Sequence, residues 1–192
     1  MKEYTYVMIK PDVAGNRDIV EAIKIMLERI GMEIVLTLES EDNPKGYLVL
    51  DDKTLEEHYG HVKKYGMDIY NSLVEFMKSG YVVPMVLYGE NAIESVRKLV
   101  GCTDSAKAET GTIRKVFGTD KQRNAIHASD SKESVEVEIP RFFNGVTVED
   151  LEDLRRITET PKTKTKKLNS LFIFWQELII SVLIFLININ SN

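Results

Sequence analysis

Apolar positions in the first 145 residues alternate between the spacing of strands and the spacing of helices. Residues 4–9 form a β-rich run, and Ile34, Leu36 and Leu38 recur at every second position. Between them, residues 19–30 carry apolar side chains three or four positions apart, and Gly31 is typical of a helix end. This part of the chain therefore predicts a strand, a helix and a second strand.

The pattern continues in the same manner to about residue 145. Residues 47–50 are predicted to return as a further strand after a turn at 43–46. Residues 68–79 and 91–100 predict helices, residues 81–88 and 124–126 predict strands, and another helix follows His127. Capping pairs mark three helix starts, namely Asp18 with Glu21, Thr54 with Glu57, and Asp130 with Glu133. The order predicts an α/β (α+β) fold with a ferredoxin-like βαββαβ core and extra helices.

Composition narrows the class of protein. The chain has 192 residues, a formal net charge of -5 and one cysteine, Cys102. A mixed surface charge does not favour a polyanion partner, so no specific nucleic acid is expected. A single cysteine excludes an internal disulfide and, with no apolar signal segment at the amino terminus, favours a cytoplasmic location.

The composition shifts sharply near residue 160. Residues 158–170 are polar and rich in Lys and Thr, as linkers are, and residues 171–189 are nearly all apolar. We expect a domain at 1–145, an extension with the linker at 146–170, and a tail at 171–192. A helix over 171–189 would be about 28 Å long, which is close to the thickness of a bilayer core.

Three interpretations of the tail stay open. It is a membrane anchor that leaves the domain in the cytoplasm next to the basic residues 162–167, by the positive-inside rule. It is an amphipathic helix that packs on the domain or on a partner subunit. Alternatively, it is an extension outside the normal end of the protein, such as a shifted reading frame.

His127 is the first candidate for chemistry. It follows the short strand 124–126 and precedes a helix start. It is either a histidine satisfied by hydrogen bonds at a strand end, or a nucleophile or general base. Lys10, Arg97 and Arg114 are each solvent-exposed by default, but together they would form a polyphosphate pocket if they converge on His127.

Other reactive side chains carry weaker signals. His58 and His61 are three positions apart on a predicted helix, where a solvated face is favoured over a zinc site. Cys102 is expected to be a small buried residue. The chain has no glycine-rich phosphate loop, so phosphate would be held by side chains and helix ends.

Several stretches in order resemble the nucleoside diphosphate kinase family over about residues 3–143. These are TYVMIKPD at 5–12, EHY at 57–59, residues 80–86, GENA at 89–92, VRK at 96–98, GTIR at 111–114 and RNAIHASDS at 123–131. The last stretch resembles the active-site signature of the family. The resemblance implies a four-stranded antiparallel sheet and ping-pong transfer of a γ-phosphate from ATP to a nucleoside diphosphate through a phosphohistidine.

The resemblance also implies roles for single residues. His127 would be the nucleophile, Tyr59 would stand beside it, and Ser129 and Glu138 would orient its ring. Contacts to the nucleotide would come from Lys10, Arg97, Thr103, Arg114 and Asn124. Mg²⁺ would bridge the nucleotide phosphates with no dedicated protein ligands, and the enzyme would be a homo-oligomer of four or six subunits.

Departures from the family pattern leave three points open. The residue that stacks on the base is expected among Tyr65, Met67, Ile69 and Tyr70, in a segment with about two added residues. Ser105 and Thr110 replace prolines that are common in the family, which puts the rigidity of that loop and the oligomer packing in doubt. Pro140 is expected to bend the helix that carries Glu138.

Overall fold

The computed structural model describes residues 1–159. The elements follow in chain order as β1 (Lys2–Ile9), α1 (Pro11–Ala14), α2 (Arg17–Arg29), β2 (Glu33–Thr37), α3 (Asp52–Tyr59), a 3₁₀ helix (Gly60–Tyr65), α4 (Met67–Lys78), β3 (Val83–Glu90), α5 (Ala92–Val100), α6 (Ile113–Phe117), β4 (Ile126–Ala128), α7 (Lys132–Phe142) and α8 (Val148–Glu159). One or more helices separate each strand from the next.

The strands form one sheet in the order β2-β3-β1-β4, and each neighbouring pair is antiparallel. This arrangement confirms the predicted ferredoxin-like core. β1 lies inside the sheet, where Tyr6 pairs with Val86 of β3 and Met8 pairs with His127 of β4. His127 therefore lies within a strand, rather than after one as the pattern predicts.

Both faces of β1 are covered, because its residues from Tyr4 to Ile9 are all buried. One face joins Val7 and Ile9 to Ile23 and Leu27 of α2 in the main hydrophobic cluster. On the other face, Tyr6 stacks on Phe142 of α7 with ring centroids 4.9 Å apart. Full burial of such side chains contributes about 1.5–3 kcal/mol each, so the helices are held to the sheet mainly by apolar packing.

Helix starts differ from the predicted capping pairs by one to three residues. Asn16, Asp51 and Ser131 are the N-caps, and each accepts hydrogen bonds from the backbone N–H groups of its own first turn. The predicted caps Asp18, Thr54 and Asp130 were wrong, because a second polar side chain stood close by in each case. Residues 47–50 form only a single bridge, Leu48 to Val82, instead of the predicted strand.

The chain divides into two units, of which the first is Met1–Val148 and the second begins at Glu149. In the second unit the described part is α8, on which Arg156 pairs with Asp153 and Glu152 at 2.8 and 3.1 Å. Within residues 1–159, no helix is long and apolar enough to cross a membrane. The predicted linker beyond residue 159 and the apolar tail at 171–192 lie outside the described residues.

Candidate active site

The buried carboxylate of Glu138 forms a hydrogen bond with the ring of His127. Glu138 of α7 lies beside β4, and its Oε1 is 2.9 Å from His127 Nε2. Ser129 Oγ donates to the other carboxylate oxygen of Glu138, which is almost fully buried. An ionised carboxylate only accepts hydrogen bonds, so Nε2 carries the imidazole proton and Nδ1 keeps its lone pair. The half-buried His127 side chain, 23% exposed, is thus poised as a nucleophile through Nδ1.

Of the three residues predicted to stand around the His127 ring, Glu138 contacts the ring directly and Ser129 is joined to it through Glu138. Pro140 lies inside α7, as the sequence shows, and Glu138 still reaches both His127 and Ser129. Tyr59 is buried one residue from His58, whose ring meets His127 edge-on at 4.8 Å between centroids. Burial, and then the charge of Glu138, raise the pKa of Tyr59, so its hydroxyl keeps its proton.

Two arginines bind the backbone on either side of His127. Arg114 donates to the carbonyl of Ile126 at 3.0 Å, and Arg97 approaches the carbonyl of Ala128 at 3.5 Å. Burial, followed by the charge of Arg97, lowers the pKa of Arg114 to about 10. Two guanidinium groups that repel each other next to an imidazole create a local positive potential, which favours a polyanionic ligand.

Lys10 adds a third cation from the end of β1. Its Nζ donates to Asn124 Oδ1 at 2.8 Å, and the side chain is buried. Burial first, and the Arg114 charge second, lower the pKa of Lys10 to about 8. Asn124 in turn donates to the carbonyl of Thr103 at 3.1 Å. The predicted nucleotide contacts are therefore joined to one another and to β4 by a continuous set of hydrogen bonds.

Asp12 is a structural member of the site that the pattern did not single out. Ala125, two residues before His127, has a left-handed backbone with φ of 67°. Its N–H donates to Asp12 Oδ2 at 2.9 Å, which holds this strained turn closed. Burial raises the pKa of Asp12, and the hydrogen bond from Ala125 opposes that shift. The only sequence signal was the position of Asp12 directly after Lys10-Pro11.

Two expectations about reactive side chains were wrong. His58 is buried against His127 instead of lying on a solvated face, whereas His61 is exposed. The helix α3 ends at Tyr59, so the two histidines belong to different elements and do not form a pair. Cys102 is exposed rather than buried, and it follows Gly101, which ends α5 with a φ of 85°.

The structure narrows the candidates for base stacking without selecting one. Tyr65, Met67 and Ile69 are 65%, 53% and 52% exposed, and the ammonium group of Lys64 lies over the Tyr65 ring at 5.0 Å from its centroid. Tyr70 is engaged, since its hydroxyl donates to Glu56 Oε2 at 2.7 Å. The stacking residue stays a prediction.

The donor set fits a cation that arrives already bound to phosphate. The two carboxylates beside His127 are engaged, Glu138 as described and Asp130 through Ser134 Oγ at 2.6 Å. The Lys and Arg side chains among the predicted contacts bind phosphate oxygens rather than Mg²⁺, and the amide oxygen of Asn124 already accepts a hydrogen bond from Lys10. Magnesium would thus be held through the nucleotide.

Comparisons with known proteins identify relatives of this chain. The family model for nucleoside diphosphate kinase matches residues 3–148. The chain is 44% identical over 147 residues to the nucleoside diphosphate kinase of Streptomyces griseus subsp. griseus, covering 77% of this chain and 100% of that protein. Two solved structures are similar as well.

The first is the nucleoside diphosphate kinase of Aquifex aeolicus, with a TM-score of 0.64 and 37% identity, covering 74% of this chain and 96% of that one. The second is the halophilic enzyme from Halobacterium salinarum in complex with CDP, with a TM-score of 0.64 and 34% identity, covering 75% and 89%. The fold, the matched length and the identity lead to one conclusion: the chain belongs to the nucleoside diphosphate kinase family.

Proposed function

We propose that His127 is the residue through which this chain performs the phosphotransfer of its family. The reaction moves the γ-phosphate of a nucleoside triphosphate, mainly ATP, to a nucleoside diphosphate. The observation that supports His127 is the hydrogen bond from its Nε2 to the buried Glu138, which directs the free lone pair of Nδ1 away from the carboxylate.

In the first half-reaction, Nδ1 attacks the γ-phosphorus and a nitrogen–phosphorus bond forms. The bond from that phosphorus to the bridging oxygen breaks, and the nucleoside diphosphate leaves with the electron pair. The imidazole ring becomes positive as it gives up its lone pair, and the Glu138 carboxylate at 2.9 Å stabilises that charge. In the second half-reaction, a terminal oxygen of another nucleoside diphosphate attacks the same phosphorus and the nitrogen–phosphorus bond breaks.

The cations carry the electrostatic part of the reaction. Phosphoryl transfer spreads negative charge over the transferred group, so its barrier falls when fixed positive charges surround it. Lys10, Arg97 and Arg114 are the groups that we assign to this task, and Thr103 and Asn124 to nucleotide contacts. The substrate is the Mg²⁺ complex of the nucleotide, in which the metal supplies further positive charge.

Labelling of the protein tests this assignment directly. Incubation with γ-³²P-labelled ATP should give an acid-labile, base-stable label on the full chain, and His127→Asn should lose it. His61→Asn is the matched control, because His61 is exposed and lies on the 3₁₀ helix. Retention of the label in His127→Asn would refute the assignment. Failure to label wild-type protein that still binds nucleotide would favour a rival function, an inactive scaffold module.

Assembly, location and domain limits are further proposals. We assign catalysis to residues 1–145 and expect a homo-oligomer, for which light scattering of the full chain distinguishes four subunits from six. The cytoplasm is the expected compartment, on the evidence of the single cysteine. Whether residues 171–189 anchor the protein is tested by carbonate extraction of membranes, which an anchored chain resists and a peripheral one does not.

A further inference from the structure

One charged side chain behind the site has no part in the contacts described so far. Arg141 lies on α7, three residues after Glu138, and its side chain is only 16% exposed. Its terminal nitrogen Nη1 is 3.3 Å from His58 Nδ1. The nearest carboxylate to Arg141 Nε is that of Glu57, a half-exposed side chain whose Oε2 is 3.7 Å away.

The contact determines the tautomer of His58. A guanidinium only donates hydrogen bonds, so His58 Nδ1 accepts, and the neutral ring carries its proton on Nε2, which is buried and has no hydrogen-bond partner within residues 1–159. The ring stays neutral, because burial first, and then the electrostatic influence of the neighbouring His127 and Arg141, lowers the pKa of His58 to about 2.

The tautomer matters because His58 and His127 approach the same carboxylate oxygen. Glu138 Oε1 is 2.9 Å from His127 Nε2 and 3.7 Å from His58 Nδ1. A proton on His58 Nδ1 would compete for that oxygen. With the lone pair of His58 Nδ1 turned to Arg141 instead, Oε1 is left to His127 alone.

We propose that Arg141 is a positioning residue for the His127–Glu138 pair, acting through His58. It holds His58 as an acceptor, which keeps the Glu138 oxygen committed to His127 Nε2 and the lone pair on His127 Nδ1. This role rests on the proposed function of His127 for its kinetic consequence, but the tautomer of His58 is a property of the resting protein and is measured without turnover.

Nitrogen-15 NMR of the full chain, labelled at histidine, tests the first step. The chain has three histidines, so His61→Asn and His127→Asn assign the spectrum. The expected spectrum shows neutral His58 with its proton on Nε2. A wild-type protein in which His58 carries its proton on Nδ1, or is charged at neutral pH, overturns the proposal whatever the variants do.

Substitution of Arg141 tests the second step. In Arg141→Met, and in Arg141→Leu should the first not fold, the Nδ1–H tautomer of His58 should appear. The turnover number should fall by roughly 5- to 50-fold, the range for partial loss of a hydrogen bond to a charged group, with KM changed less than about twofold. Arg141→Lys keeps a cationic donor and should restore part of the rate.

Two controls separate positioning from general stability. Glu57→Gln removes the partly exposed ion pair of Arg141 and leaves its contact with His58, so tautomer and rate should stay unchanged. Arg29→Met makes the same substitution at an exposed position on α2. An unaltered tautomer or an unaltered turnover number in Arg141→Met would overturn the positioning role. Failure of the proposed function is distinct, because wild-type protein would then acquire no phosphohistidine.

Discussion

The charge of Glu138 should set the rate at which His127 is phosphorylated. Replacement by Gln keeps an oxygen acceptor and nearly the same volume but removes the negative charge 2.9 Å from His127 Nε2. As Nδ1 attacks, the ring becomes positive, so the carboxylate stabilises the transition state more than the resting enzyme. The loss therefore falls on catalysis rather than on nucleotide binding.

Its magnitude follows from the geometry. Two unit charges at 2.9 Å interact by about 6 kcal/mol at an effective dielectric constant of about 20, which is an upper limit here. Hydrogen bonds to charged groups contribute about 1.5–3 kcal/mol, and part of this survives with the amide dipole of Gln. Because only part of this energy is lost, a reduction of roughly 5- to 50-fold in the phosphorylation rate is expected, since about 1.4 kcal/mol corresponds to tenfold.

Rapid quenching with γ-³²P-labelled ATP measures this step in a single turnover. Glu136→Gln is the matched control, because it makes the same substitution on α7 at an exposed position. A Glu138→Gln protein that is phosphorylated within twofold of the wild-type rate would refute the assigned role of the carboxylate. A loss of the same size in Glu136→Gln would show that the effect comes from the helix and not from the charge.

Three further predictions concern charge and packing. The pKa of Lys10 is lowered to about 8, so its ammonium group loses its charge as the pH rises through that value. We expect kcat/KM to fall over the same pH range, and this decline to be absent in Lys10→Arg. Tyr6→Phe should leave the unfolding free energy in urea unchanged or raise it by about 1 kcal/mol, because the buried Tyr6 hydroxyl has no hydrogen-bond partner within residues 1–159; a loss above about 1 kcal/mol would contradict this. Leu87→Ala, at a fully buried position of β3, should cost about 2–5 kcal/mol by the same assay, against less than about 0.5 for Val116→Ala at a position 56% exposed.

Periodicity predicted the elements well wherever the signal is local. The apolar positions of α2 are three or four residues apart, and Val20, Ile23 and Leu27 are the ones buried. The same local information was insufficient at helix starts. Asn16 and Asp18 both offer a side-chain oxygen, and only the three-dimensional course of the chain decides which one meets the free N–H groups.

The site could be predicted only in part, because its contacts are long-range. The local pattern around His127 is explained equally well by a structural histidine. The order of the motifs along the chain was needed to favour a catalytic role for it. The binding of Arg114 to the carbonyl of Ile126 has no signal in spacing, and neither has the contact of Arg141 with His58. The burial of His58 was not predicted, because spacing along α3 does not reveal which side of the helix packs against α7 and β4.

The position of β1 inside the sheet has a consequence for folding during synthesis on the ribosome. This apolar strand is made first, yet both of its neighbours, β3 and β4, come late in the chain. Lys10, at its end, bonds to Asn124, 114 residues further on. At roughly 5–20 residues per second, about 6–23 s pass between the synthesis of β1 and that of its second neighbour, β4. During that interval its exposed edges would attract other strands, so chaperone capture of nascent chains should end only as β4 emerges.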